Sequence, residues 1–401
     1  MFLSNISVDA AHSAIIQHVR PLTVISTPLR TLNGRVLAQS IVMERDQPPF
    51  DRVTMDGIAL CSDANVDSRQ FRITGTQAAG AAPLMLNAKD HCIEVMTGAQ
   101  LPIGCDCVVP VERIHIDHGM AKIDDDLSLT PYLNVHRRGS DSSKDDEILR
   151  PGTHMSAAEV AVIASAGYSE ARVYLTPRIA VISTGDELVE PGSPIEAWQI
   201  RRSNTYALIS ALNKYGFSNI TDAHLRDDPV SLRTKLSAML EQHDVLILSG
   251  GVSAGKFDHI PKVLNEIGVT TIFHKILQRP GKPMWFGIRD DGKAIYALPG
   301  NPVSILVCFY RYVLNGLRQA MGATKFQVEH ARLTDAIKSH DQLTCFVPVK
   351  LNNSQAILPA TPHPTRGSGD FVSLLGTDGF VQLPASSAPI PSGTIVPLYR
   401  W

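Results

Sequence analysis

The 401-residue chain has no long apolar run, no paired-cysteine motif and a net charge of only −2, and each absence narrows its function. No stretch approaches the roughly 18 consecutive apolar residues that a membrane-spanning helix needs. The start, MFLSNISVDAAHSAII, lacks the basic opening and continuous apolar core of an export signal. The near-balanced charge, with a pI near 6.7, gives no whole-chain footprint for nucleic acid or another polyanion. The six cysteines (Cys61, Cys92, Cys105, Cys107, Cys308 and Cys345) include no C-x-x-C pair. Cys105 and Cys107 are one residue apart, which on a strand would point both thiols the same way. No second Cys or His pair follows at metal-finger spacing, so ordinary reduced thiols are expected. A soluble, cytoplasmic, multidomain protein is the expectation, and with 44% apolar residues it can bury sizeable cores.

What is present divides the chain. SVDAAHSAIIQHV has helical spacing behind a capping Ser7. Residues 45–136 are short β-type runs among Pro and Gly, which reads as a small β domain inserted into a discontinuous one formed by 1–44 and 137–176. SAAEVAVIASAGY, opened by a Ser156–Glu159 capping box, belongs to the returning half. From 177 the character changes. RIAVIST, SNITDAHL, DVLILSG, KPMWFGI and AIYALPG read as strands, interleaved with helices such as NTYALISALNKYG and PVSLRTKLSAMLEQ. That alternation over 177–325 predicts an open parallel sheet covered by helices on both faces, a three-layer α/β/α domain. Short strands return over 326–401, as a C-terminal β-barrel-like domain.

Chemistry in such a sheet belongs at the carboxyl ends of its strands. After DVLIL comes SGGVSAGKF, in which Gly250, Gly255 and Lys256 fit the phosphate-loop spacing G-x-x-x-x-G-K-[ST]. Phe257 stands where the magnesium-binding hydroxyl belongs, so a triphosphate loop is disfavoured. Glycines still let backbone N–H groups approach a phosphate, although a tight strand-to-helix turn without a ligand has the same spelling. Asp186, Glu187, Asp227, Asp228 and Asp258 also follow strand ends. Convergent carboxylates there suit a hard cation that bridges to phosphate oxygens, but an Asp at a helix start is as readily a cap.

Taken together, GDELVEPG, RDD, SGGVSAGKFD and LPGNPVS resemble the molybdopterin molybdenumtransferase family, the bacterial MoeA proteins and the E domain of gephyrin-type proteins. PPFDRVTMDGIA at 48–59, MTGAQLPIGCDCVVPVE at 96–112, RPGKP at 279–283 and GSGD at 367–370 extend the resemblance over essentially the whole chain. It implies insertion of molybdate into adenylylated molybdopterin, with Mg2+ and cleavage of the adenylate. It also implies a homodimer with its cleft at the subunit interface, an upstream molybdopterin adenylyltransferase as partner, and no nucleic acid or membrane. By the same resemblance Asp56, Asp141, Glu187, Asp227 and Asp258 are catalytic, and Glu187, Asp227 and Asp258 hold the metal. Thr97, Gly250, Gly251, Ser253, Gly255, Arg279, Lys282, Pro299, Pro302, Ser304 and Ser368 bind the substrates. Relatives that adenylylate instead are much shorter and lack the flanking β domains. A pterin-binding paralogue without the chemistry is the other alternative, because this chain departs from the pattern. It has DGIA for DGYA, Ser140 before Asp141, and Pro348 where an arginine is usual near the oxyanion pocket, with Arg366 as a potential substitute.

Overall fold

The computed structural model describes residues 2–64, 69–252, 259–323, 328–352, 358–365 and 367–401. The chain forms two compact units. The first comprises 1–38, 151–156 and 171–401, and the second 39–150 and 157–170.

The first unit is built on a seven-stranded sheet. In chain order its elements are β1 (Leu3–Ile6), α1 (Val8–His18), β2 (Ile179–Thr184), α2 (Asn204–Lys214), β3 (Ile220–Leu225) and α3 (Pro229–Gln242). Then come β4 (Val245–Ser249), α4 (Ile260–Glu266), β5 (Val269–Ile276), β6 (Trp285–Arg289), β7 (Ala294–Leu298) and α5 (Pro302–Cys308). The spatial order is β1-β5-β6-β7-β4-β2-β3. The helix after Pro302 runs on through a five-residue π segment, Phe309–Val313, to Leu314–Ala320.

The strands are apolar without alternation because both faces are covered. Ile179, Val181, Val245, Ile247, Tyr296 and Leu298 pack into one core with residues of α1, α2 and α5. Ala180, Ile182, Leu246, Leu248, Ile295 and Ala297 pack into another with Leu232, Leu236 and Leu264 of α3 and α4. Local signals set the helix ends. Ser7 accepts from the Ala10 N–H at 3.1 Å, and Asp228 from the Ser231 N–H at 2.7 Å, just before Pro229 in the first turn of α3.

The sheet is mixed, where the sequence pattern suggests a parallel one. β6 pairs antiparallel with both β5 and β7. Only residues 290–293 separate β6 from β7, too few for a crossover, so the pair must turn back as a hairpin. β1 and β5 together form the edge beyond β6.

The C-terminal strands are β8 (Glu329–Leu333), β9 (Thr344–Leu351), β10 (Pro359–Pro362), β11 (Gly379–Leu383) and β12 (Ile395–Arg400). They pair in the order β9-β10-β8-β12-β11, and the additional pairing of β9 with β11 closes a five-stranded barrel.

The second unit holds a six-stranded sheet formed by 57–60, 70–77, 91–95, 107–110, 114–117 and 120–123. Cys107 lies in its core with Ile58, Leu60, Phe71 and Cys92. Cys105 precedes the strand and packs instead with Val53, Ala59 and Val108, so the two thiols do not face the same way as spacing suggested. Burial pushes Cys92, Cys105 and Cys107 up to about 12, which makes them inert. Among the described residues no helix is long and apolar enough to cross a membrane.

Candidate active site

Four strands of the first unit, β7, β4, β2 and β3, run parallel and end at one edge. The pairs Ser249↔Leu298, Ser183↔Ser249 and Thr184↔Leu225 are in register. Pro299, Gly250, Gly185 and Arg226 therefore leave the sheet at nearly the same level, across three strand gaps or about 14 Å.

In the middle stands the Gly250–Gly251 turn, with φ of +97° and +69°. A Cβ on Gly250 would lie 3.1 Å from Thr184 O, and one on Gly251 2.6 Å from Ile260 Cγ1, so both conformation and crowding demand glycine. The Gly250 N–H donates to Leu298 O at 3.1 Å. Beneath the turn the buried Thr184 hydroxyl has no hydrogen-bond partner among the described residues, and neither has Asn204 Oδ1. The Asn204 amide nitrogen donates to Ser249 Oγ at 3.0 Å and Gly300 O at 2.7 Å, which fixes Oδ1 as the remaining acceptor. Nothing in the motif spacing singled out Thr184 or Asn204. The available signals were a hydroxyl ending an apolar strand and an amide opening a helix. Ser253, Gly255 and Asp258, with Lys256, Phe257 and Arg366, lie outside the described residues.

On the β2 and β3 side, Glu187 and Asp227 sit on neighbouring loops. Asp228 is taken up as a helix cap, the bland reading of that acid. Among the described residues no three His, Cys, Asp or Glu side chains gather as a metal cage. The donor chemistry nonetheless fits Mg2+, which commonly takes one or two carboxylates and completes its shell with phosphate oxygens and water. Behind these loops lies a polar network that sequence reasoning missed. The Arg202 guanidinium is buried and donates to Ser183 Oγ at 3.0 Å, Asp222 Oδ1 at 2.6 Å and Glu190 Oε2 at 2.5 Å. Burial, then the Arg202 charge, draws His224 below the usual imidazole range.

On the β7 side a cavity of about 1310 Å³ opens between the strand-end loops and the barrel. Arg279, Lys282, Pro299, Ser304 and Ser368 all line it, so the structure brings these predicted residues together. Pro302 is in the first turn of α5, beside lining residues Asn301 and Val303. Asn301 Nδ2 donates to Ser368 Oγ at 2.8 Å and the Val303 N–H to Ser368 O at 2.9 Å. The Ser368 hydroxyl thus accepts from Asn301, and its proton is left to donate. Gln278 holds the Arg279 loop from below: its amide nitrogen donates to Pro280 O at 2.9 Å and its oxygen accepts from the Tyr312 hydroxyl. Arg279, Lys282 and Lys338 have no ion-pair partner among the described residues. Among the described residues the one acidic lining residue is Asp341, 2.9 Å from His340 Nδ1. Such a surplus of cations and hydroxyls suits a small oxyanion.

Asp56, Thr97 and Asp141 belong to the second unit. The Thr97 N–H and hydroxyl both donate to Asp56 Oδ1, each at 2.7 Å. The hydroxyl first, then the N–H, hold that carboxyl below its ordinary range. The following Gly57 is dictated by packing, since a Cβ there would lie 2.0 Å from Val109 O on the neighbouring strand. Asp141 is 2.7 Å from His136 Nε2, and His136 Nδ1 is 3.0 Å from Arg52 Nη2. A guanidinium only donates, so Nδ1 accepts and the Nε2–H points at Asp141. The cross-strand register His136↔Arg52 builds this chain, which no motif announced.

Three family models match the chain: MoeA N-terminal region (domain I and II) over residues 6–167, a probable molybdopterin binding domain over 180–319, and MoeA C-terminal region (domain IV) over 330–401. A molybdopterin molybdenumtransferase of Synechocystis sp. is 43% identical over 372 residues, covering 92% of this chain and 93% of its own. One from Staphylococcus aureus is 28% identical over 405 residues, covering 98% of this chain and 94% of its own. Two crystal structures of molybdopterin biosynthesis MoeA protein from Pyrococcus horikoshii superpose with TM-scores of 0.81 and 0.83, at 29% and 25% identity. Each covers 99% of this chain, and 99% and 100% respectively of its own.

Proposed function

The chain belongs to the molybdopterin molybdenumtransferase family, and on that premise we propose that it inserts molybdate into adenylylated molybdopterin while the adenylate is cleaved and AMP released. Family membership itself makes it an enzyme of molybdenum cofactor biosynthesis, with molybdopterin and molybdate as substrates. The observation that carries the finer reading is the oxyanion cavity, where Arg279, Lys282 and Lys338 stand without an acidic partner among the described residues.

In this reading the molybdate dianion docks among Arg279, Lys282, Ser304 and Ser368, on a turn stiffened by Pro299 and Pro302. The pterin phosphate lies over Gly250 and Gly251, and Ser253 and Gly255 remain substrate-binding candidates by resemblance alone. The roughly 14 Å of sheet edge lets one guest reach from that cavity to the carboxylates. Glu187, Asp227 and Asp258 would hold Mg2+, which when bound neutralises charge on the phosphate oxygens. A carboxylate not engaged with the cation takes a proton from a water that adds to the phosphorus of the pyrophosphate link, whose P–O–P bond breaks as AMP leaves. Asp56, Thr97 and Asp141 are assigned to the cleft of a second copy in a homodimer, a reading supported by the sequence resemblance. The Asp56–Thr97 bonds then keep that carboxylate ionised and oriented. Mixing Asp56→Asn and Asp227→Ala subunits should restore about a quarter of wild-type activity if the site is shared, and none if it is not.

The deciding experiment incubates the purified protein with adenylylated molybdopterin, Mg2+ and molybdate, and follows AMP and bound molybdenum. Molybdate-dependent AMP release is expected, and its loss in Asp227→Ala and Asp258→Ala. Unchanged turnover in both variants would remove the carboxylates as the reaction centre. AMP release without metal uptake would favour a pterin-binding paralogue.

A further inference from the structure

We propose that Gln278 is the positioning residue of the oxyanion loop: it draws the loop's carbonyls down and so turns the Gly281 and Lys282 N–H groups toward molybdate. This rests on the oxyanion reading of the cavity. Gln278 is 1% exposed and lies under residues 279–283, which line the cavity with it. Pro280 O can only accept, so the Gln278 amide nitrogen faces it at 2.9 Å, and the amide oxygen is left to accept from the Tyr312 hydroxyl. The same nitrogen donates to Cys308 Sγ at 3.6 Å, and the Cys308 thiol donates to Gly281 O at 3.7 Å. Every bond in this chain runs one way, from Tyr312 through Gln278 and Cys308 to the loop. Cys308 and Tyr312 stand four residues apart on one continuous helix, at the end of α5 and in the π segment that follows it.

The loop can settle on these groups only with glycine at 281. Its φ is +93°, and a Cβ there would lie 2.6 Å from Gln278 Nε2 and 2.7 Å from Cys308 Sγ. The stem is closed by the Ile276 N–H, which donates to Lys282 O at 2.8 Å, and the pairs Gln278↔Thr344 and Arg279↔Cys345 tie it to β9. In a trans peptide the N–H points away from the C=O of the same unit. The Pro280 and Gly281 carbonyls are bonded to the buried amide and thiol. The Gly281 and Lys282 N–H groups, which share those two peptide planes, therefore point the other way, and neither has a hydrogen-bond partner among the described residues. Proline fixes a negative φ and the glycine after it has a positive one. That alternation brings successive N–H groups into the shallow concavity that binds anions. Arg279 and Lys282 then add charge to donors that the chain beneath has already aimed.

The test measures equilibrium binding of molybdate alone to the full chain, in buffer free of phosphate and sulfate, with amide spectra of isotope-labelled protein. Gln278→Met keeps the length of the side chain and removes its polarity, and should bind about tenfold more weakly. Tyr312→Phe leaves the Gln278 oxygen without its donor and should weaken binding about threefold. The double variant should bind no worse than Gln278→Met, because the phenol acts through the amide. Any lost buried bond lowers the melting temperature, so the deciding readout is the affinity of the folded protein. In the wild type the Gly281 and Lys282 amide signals should move as molybdate is added. If those signals stay still while molybdate binds, the role of Gln278 is overturned. It is overturned as well, with the cavity left standing, if both variants bind like the wild type while Arg279→Ala binds weakly. Should Gln278→Met not fold, Tyr312→Phe decides by the same criterion. If Arg279→Ala leaves affinity untouched, the oxyanion reading falls, and this inference with it.

Discussion

The two edges of the central sheet are built from the same strands but treat charge in opposite ways. At the amino edge the arginines are paired with carboxylates. Asp244 receives the Arg178 N–H at 2.9 Å, its Nε at 3.1 Å and its Nη2 at 2.8 Å. Burial pushes that carboxyl up, and the bonds and charge of Arg178 outweigh it, so it ends below its usual range. In the β6–β7 hairpin Arg289 lies 2.6 Å from Glu241 and 2.5 Å from Asp291, and this holds Asp291 down to about 2. At the carboxyl edge Arg279 and Lys282 lack such partners among the described residues, as does Lys338 on the barrel side of the cavity, and the glycine turn covers the Thr184 hydroxyl and Asn204 Oδ1, which have no hydrogen-bond partner among the described residues. The amino edge spends its charges on holding the sheet, as Arg202 does behind the β2 and β3 loops, while the cavity side of the carboxyl edge keeps its cations for a guest.

Mutation should separate the edges, and the largest effect falls on the open one. Arg279→Ala is expected to weaken molybdate binding by about 10–100-fold by titration calorimetry, as loss of a charge-assisted contact would. Its melting temperature should stay at the wild-type value, and a large drop would mean that Arg279 holds the fold instead. Gly251→Ala crosses the boundary. Its φ of +69° and the 2.6 Å approach to Ile260 should cost about 1–3 kcal/mol in urea unfolding, and binding should weaken as well. At the closed edge, Arg178→Met should lose about 1–2 kcal/mol of stability and leave molybdate affinity unchanged. An affinity change there would blur the division.

The smallest effect is in acid. Asp291 is depressed to about 2, below the ~3.9 of an unfolded chain, so its stabilisation is complete above about pH 4 and is lost as the pH falls toward 2. Asp291→Asn should remove that part of the acid limb when stability is followed against pH. A wild-type acid limb in the variant would show that the Arg289 pairing adds nothing.

Much of the frame was legible because local chemistry fixed it. The capping Asp228 and Pro229 announce α3, and the Ser7 cap announces α1. The unbroken apolar runs announce strands buried on both faces. Strand direction was less legible. VTTIFHKI alternates poorly and gave no clear strand signal for β5, and the antiparallel β6 follows from a turn of four residues that the helix–strand rhythm concealed. At the site, the glycine turn and the Pro299–Pro302 turn were readable because glycine and proline restrict backbone locally. Thr184, Asn204 and Arg202 were not, because their roles arise only where separate strands meet.

Anomalous diffraction at the molybdenum edge, from crystals soaked in molybdate, tests the contrast between the edges most directly. A peak within hydrogen-bond reach of Arg279, Lys282 and Ser368 is the predicted result. A peak confined to other surfaces, with that cavity empty, would contradict the account.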